Sequence, residues 1–214
     1  MANRFFTKTI IFLTSLILIF TVGFTPTSAS ALGNEEARAA IPDLTAFSNS
    51  LENGQADALR GLYVKNLMAL QIVQQPANND AFVTSAHGYA TEFRMAAKYG
   101  NVGMLAHNYL AGQSFFQLSP GQEIQLVYGD KKTETFVVTN ILQYQALSPD
   151  SPTSDFIDLS SGEHLTASSL FSKVYANGSG NLVLQTCIHA NQNPTWGRLF
   201  VIARPVNQVY AYSN

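Results

Sequence analysis

From residue 61 onward the chain is cut into short apolar or alternating runs, each closed by glycine, proline, asparagine or aspartate. This punctuation limits the fold more than any other feature. Residues 67–73 form an apolar run that stops at Gln75-Pro76 and Asn78-Asn79-Asp80. Residues 123–128 alternate, turn at Gly129-Asp130, and continue as 133–140 with an extension to 147. Asn177-Gly178-Ser179-Gly180 reads as a hairpin-type turn leading into residues 182–188, and 199–203 follow after a polar loop. Residues 82–85 and 102–107 read as two more strands, and 148–162 as a polar loop. Only 91–98 and 166–175 have helical composition in this region. Strands this short and this closely spaced predict an all-β sandwich or barrel.

Ahead of the strands, Arg4 and Lys8 precede an apolar run over 9–24, and Ala29-Ser30-Ala31 supplies a small-residue site. That order is the signature of a secretory signal peptide. The run is shorter than the ~20 apolar residues of a membrane helix, so cleavage after Ala31 is expected. The alternative is an uncleaved signal anchor, the one route by which this chain would meet a membrane. Residues 32–60 are expected to be helical. Asn34 caps Glu35 and Glu36, and a second helix starts at Asp43, with Ala46, Phe47 and Leu51 on one face and Leu59 continuing it. Gly54 and Gly61 punctuate that stretch. The expected plan is 1–31 signal peptide or anchor, 32–60 helical extension, and 61–214 a β-barrel domain.

Charge removes one class of partner. The 214 residues carry 12 basic and 14 acidic side chains, a net of −2. Cleavage after Ala31 would take away Arg4 and Lys8 and no acid, leaving −4. No basic field exists to hold a phosphate backbone, so nucleic acid is not an expected partner. No cysteine pair, His-x-x-x-His or acidic triplet stands at ligand spacing, and no cofactor or metal is expected. Asp150, Asp155 and Asp158 read as a solvated loop rather than a calcium site.

Cys187 is the sole cysteine. In an exported protein a lone cysteine is a reactive thiol, an intermolecular link, or a buried small hydrophobe. A nucleophilic thiol needs a base or a cation to lower its pKa from ~8.5. Four histidines are available: His87, His107, His164 and His189. Strand alternation puts His189 on the face of Cys187, so spacing alone slightly favours it. His87 and His164 read as surface residues. Arg198, Phe200 and Ile202 share one strand face, and a guanidinium there needs a partner. Arg204 reads as an exposed charge.

Three stretches carry a family resemblance. Leu184-Gln185-Thr186-Cys187 fits the Leu-x-Thr-Cys signature that ends the cysteine strand of sortases. Arg198 opens an apolar run eleven residues later, where that family places its arginine. Met104-Leu105-Ala106-His107, followed by Gly112, Phe115, Leu118, Gly121 and Gly129-Asp130, is similar to the family's histidine segment. Ala106 stands where the family usually has glycine. The chain thus resembles a sortase over about residues 66–206.

The resemblance implies a sortase-like closed β-barrel with a few short helices, and a cysteine transpeptidase outside the membrane. It implies Cys187 as nucleophile, His107 as acid and base, and Arg198 as electrostatic stabiliser; Thr186 supports the strand from its opposite face. It implies two partners. One is an exported protein carrying a sorting signal. The other is an amine acceptor, either cell-wall peptide or another surface protein. Two alternatives stand beside it: a cysteine peptidase that hydrolyses the same intermediate, and a non-catalytic exported β-barrel binding module in which Cys187 is buried and inert.

Overall fold

The computed structural model describes residues 40–211; the signal segment expected over 1–31 and the cap expected at Asn34 lie outside them. Asp43 caps α1 (Leu44–Leu51), its Oδ1 accepting from Ala46 N at 2.8 Å. The helix turns Phe47 and Leu51 onto Tyr63 and Val127. It stops at Leu51, short of the expected span. Asn53 N and Gly54 N both donate to Gly129 O at 2.9 Å, drawing the chain onto the barrel. Leu59 therefore opens β1 (Leu59–Val64) instead of prolonging the helix, and the barrel starts two residues before position 61. Gly61 lies inside β1 and ends nothing. A Cβ there would press on Leu51 and on the Phe47 ring, so the glycine lets α1 lie flat.

The remaining elements are β2 (Met68–Gln74), β3 (Tyr89–Glu92), α2 (Arg94–Ala97), β4 (Val102–Leu105), a 3-10 turn over Ala111–Gln117, β5 (Glu123–Tyr128) and β6 (Thr133–Ala146). They continue with β7 (Phe156–Asp158), β8 (His164–Leu165), α3 (Ala167–Tyr175), β9 (Leu182–Ala190), β10 (Asn193–Pro205) and α4 (Val206–Ala211). Going round, β1 neighbours β5, then β6, β10, β9, β4, β3 and β2, which returns to β1. The β6–β10 pairing closes the ring. This is the closed all-β barrel with a few short helices that the resemblance implied; the strand pattern by itself left a sandwich open. Closure leaves the eight strands no free edge. The short β7 and β8 continue outward from β6. Every pairing is antiparallel except β2–β3 and β4–β9.

One side chain in two points inward. Leu62, Met104, Leu126, Leu182, Leu184, Leu199 and Val201 are all fully buried in the interior cluster. Each such side chain contributes ~1.5–3 kcal/mol. The outward face is apolar under α3, where Leu170, Val174 and Tyr175 cover Tyr144, Val183 and Phe200.

Several local expectations change. Residues 82–85 are not a strand. Gln75 Nε2 donates to Asp80 O and Phe82 O at 2.7 and 3.1 Å, and Thr84 N donates to Thr91 Oγ1, so side chains satisfy that backbone in place of a ladder. The helix expected over 91–98 keeps only Arg94–Ala97, because Thr91 and Glu92 pair with Val73 and Gln74 in β3. The loop expected over 148–162 contains β7. His189 lies within β9, and the polar loop after it is a tight turn on Asn191 and Gln192, both at positive φ. The glycine-rich turn over 177–180 joins α3 to β9, not two strands.

Candidate active site

Cys187 and Arg198 face each other directly across the β9–β10 pair. Side chains so placed stand ~5 Å apart at their Cβ atoms. Leu182 and Leu184 belong to the interior cluster, whereas Val183 packs outside under α3. Alternation therefore turns Gln185, Cys187 and His189 outward with Val183. Cys187 is half-buried and forms no disulfide. The buried thiol that the binding-module reading requires is not what the barrel places there.

His107 comes from the neighbouring strand. β4 runs parallel to β9, and its last register pair sets Leu105 beside Gln185. Continuing that register by two residues sets His107 level with Cys187 and on the same outward face. Two bonds carry the register past the strand end: Ala106 N donates to Gln185 O at 3.2 Å, and Thr186 Oγ1 donates to Ala106 O at 2.8 Å. Thr186 thus supports the strand from the inner side. The turn after His107 is fixed by its own carbonyl, which accepts from Leu110 N and Gly112 N at 3.0 Å. Gly112 is required there, since a Cβ would collide with Thr186 Oγ1 and the carbonyls of Ala106 and His107. Asn108 Nδ2 donates to Pro194 O at 2.8 Å and ties this turn to the β9–β10 hairpin. The imidazole stacks on Tyr109, with ring centroids 5.1 Å apart and planes 20° from parallel.

Arg198 is held by main-chain carbonyls. Nη1 donates to Thr195 O and Gly197 O at 2.8 and 2.9 Å, and Nη2 to Pro149 O at 3.4 Å. The partner that a guanidinium on this face needs is thus supplied by main-chain carbonyls of the protein. These acceptors are neutral, and among the described residues no carboxylate pairs with Arg198. The guanidinium is fixed in place while its positive charge remains uncompensated on the face of Cys187.

A cleft of about 140 Å³ opens at Arg198; Cys187 is not among the residues that line it. Phe156, Leu170, Phe171 and Phe200 form apolar walls, and Gln185 and Arg198 supply the polar lining. Two larger hollows lie elsewhere, beside α1 and around Val102 and Pro205, and neither includes any residue of the Cys187 face. The smaller cleft is the one that takes Gln185 and Arg198 into its lining. Sequence reasoning missed Gln185 and Tyr175. Tyr175 Oη donates to Gln185 Oε1 at 2.8 Å, and burial pushes the Tyr175 hydroxyl upward, so it stays a neutral donor. The available signal was the i, i+2 spacing of Gln185 and Cys187 on one strand.

The other histidines do not join the group. His87 is exposed, and His164 lies on β8 with Nε2 3.4 Å from Asp155 Oδ2. His189 is on the outward face of β9 but is exposed near the hairpin. Arg204 is exposed. The three loop acids take separate roles. Asp150 Oδ1 accepts from Thr195 Oγ1, Asp155 meets His164, and Asp158 is buried rather than solvated. Among the described residues, no three His, Cys, Asp or Glu side chains gather at metal-binding distances.

No protein-family model matches the chain, and no curated protein matches it. Solved structures do align. Sortase A of Listeria monocytogenes is 14% identical at a TM-score of 0.42, over 70% of this chain and 88% of that one. Sortase C of Clostridium perfringens SM101 is 13% identical at 0.43, over 76% and 85%. The pilus-related sortase C of Group B Streptococcus is 15% identical at 0.44, over 81% and 77%.

Proposed function

We propose that this chain is a sortase-type cysteine transpeptidase acting outside the membrane. The observation that carries the reading is the convergence of three strands. Cys187 on β9, Arg198 opposite it on β10, and His107 beyond the end of β4 share one outward face beside a cleft. The signature Leu184-Gln185-Thr186-Cys187 supports it from the sequence side.

The chemistry follows from the residue types. The Cys187 thiolate attacks a peptide carbonyl of a sorting signal, so an S–C bond forms and the carbonyl oxygen gains charge. Arg198 stabilises that oxyanion with donors whose charge is never lost. His107 gives a proton to the departing amine as the C–N bond breaks, leaving a thioacyl enzyme. His107 then takes a proton from the incoming amine, which attacks the thioester and releases Cys187. The acceptor amine belongs to cell-wall peptide or to another surface protein.

The test is product analysis with and without an added amine. Ligated product should grow with amine concentration at the expense of hydrolysed product. Hydrolysis undiminished by saturating amine would replace the transpeptidase with a peptidase.

A further inference from the structure

Asn101 stands one residue before β4 and is buried, at 3% exposure. Its side chain makes three hydrogen bonds, none within its own strand. Nδ2 donates to Tyr175 O at 2.7 Å and to Asn177 Oδ1 at 3.0 Å. Oδ1 accepts from Asn181 N at 2.8 Å. The main chain extends the grip, with Val102 N donating to Asn181 O at 2.8 Å. One amide thus holds the C-terminal end of α3, the turn that follows it, and the residue before β9.

The β4–β9 ladder is short. It runs from Val102 beside Leu182 to Leu105 beside Gln185. A slip by one residue would turn Met104 out of the core, so the apolar pattern forbids it. A slip by two residues would keep every side chain on its own face. It would also displace His107 by ~6.6 Å along Cys187. The apolar pattern does not forbid that slip; the Ala106 and Thr186 bonds oppose it at the His107 end, and a lock is needed at the other end of the ladder. An amide is suited to it, since the site asks for two donated bonds and one accepted bond from a single buried group.

We infer that Asn101 is a positioning residue that locks β4 in the one register against β9 setting His107 level with Cys187. The inference rests on reading those two residues as the reacting pair. Asn101 itself touches no reacting atom, because it stands at the opposite end of β4.

The test uses the full chain with Asn101→Ala, and Asn177→Ala as control. The control removes one partner and leaves the bonds to Tyr175 O and Asn181 N. Thioacyl formation with a saturating sorting-type peptide is followed well below each melting temperature. Asn101→Ala should slow it about tenfold or more while KM shifts less than about twofold, because misplacement affects the reacting geometry more than binding. Asn177→Ala should stay close to the unmutated chain. Amide exchange at Ala106 N should rise in Asn101→Ala by about the same factor, with the β1–β5 amides unchanged. A lowered melting temperature with unchanged acylation and unchanged exchange at Ala106 would overturn the inference. If Asn101→Ala does not fold, Asn101→Ser takes its place with the same expectations. If the unmutated chain forms no thioacyl enzyme, the functional reading fails, and exchange at Ala106 still decides the lock.

Discussion

Helices α1 and α3 both lie on the outer face of the barrel, over different ground. Under α1 the surface is apolar: Phe47 and Leu51 meet Tyr63 and Val127, and Gly61 removes the last obstacle to close approach. Its charged fastening is an exposed Lys131–Glu52 pair at 2.9 Å. Such pairs contribute ~0–1 kcal/mol. Under α3 the apolar contact with Tyr144, Val183 and Phe200 is bordered by polar groups: Gln185 beneath Tyr175, Arg198 at the edge, and Asn101 under the last turn. Its fastening is Lys173 to the buried Asp158, at 3.6 Å. One helix seals the barrel. The other leaves a cleft at Gln185 and Arg198 and borders it with hydrogen bonds whose loss in a buried setting is costly.

The largest effect should come from breaking the polar side of this contrast. Arg198→Ala is expected to lower kcat/KM for acylation by ~10²–10³-fold, the usual loss for one oxyanion donor, with little change in melting temperature. Arg198→Lys should recover little, because one ammonium nitrogen cannot hold Thr195 O and Gly197 O while also reaching Pro149 O, as the two guanidinium nitrogens do. Single-turnover acylation measures both. Wild-type rates in Arg198→Ala would remove Arg198 from the mechanism, and wild-type rates in Arg198→Lys would remove the need for a guanidinium.

Truncating one residue under each helix sharpens the comparison. Phe47→Ala and Leu170→Ala should each cost ~2–5 kcal/mol in urea unfolding, since both empty a buried site. Only Leu170→Ala should also raise KM, by severalfold, because Leu170 lines the cleft. Equal KM values in the two variants would dissolve the distinction between the helices.

The smallest effect concerns pH. Asp158 is held below the ordinary carboxylate range, chiefly by the Ser160 hydroxyl at 2.6 Å, with Ser160 N, Ser161 N and Lys173 adding to it. A lowered folded-state pKa stabilises the protein above the unfolded value of about 4 and ceases to do so as pH falls through the folded value. Asp158→Asn should therefore be less stable than the unmutated chain at neutral pH, and the gap should close in strong acid. Urea midpoints at both extremes decide it; a gap that widens in acid would reverse the assigned direction.

The sequence exposed the parts governed by local rules. The helix start near Asp43, the helix over 166–175, the alternation of 123–128, and the apolar runs of β9 and β10 all became the expected elements. Features set by distant partners stayed hidden. Thr91 and Glu92 look helical but are recruited by β2, and residues 82–85 look extended but are held by Gln75. The same limit applies at the site. The facing of Cys187 and Arg198 depends on a register shift between Asn193 and Gly197; counting from the Ala190–Asn193 turn pair alone would set Cys187 opposite Trp196. The level placement of His107 depends on a parallel pairing between strands some eighty residues apart, which no periodicity reports. Strand alternation alone pointed to His189, and the barrel leaves that residue exposed.

The central claim is that Cys187 is the attacking thiol. Intact mass of the chain, taken after incubation with a pool of sorting-type peptides and beside Cys187→Ala, tests it most directly. The account predicts a thioacyl adduct on the unmutated chain and none on the variant, with the adduct mass giving the cleaved motif. The same adduct on Cys187→Ala, or none on the unmutated chain across the pool, would contradict it.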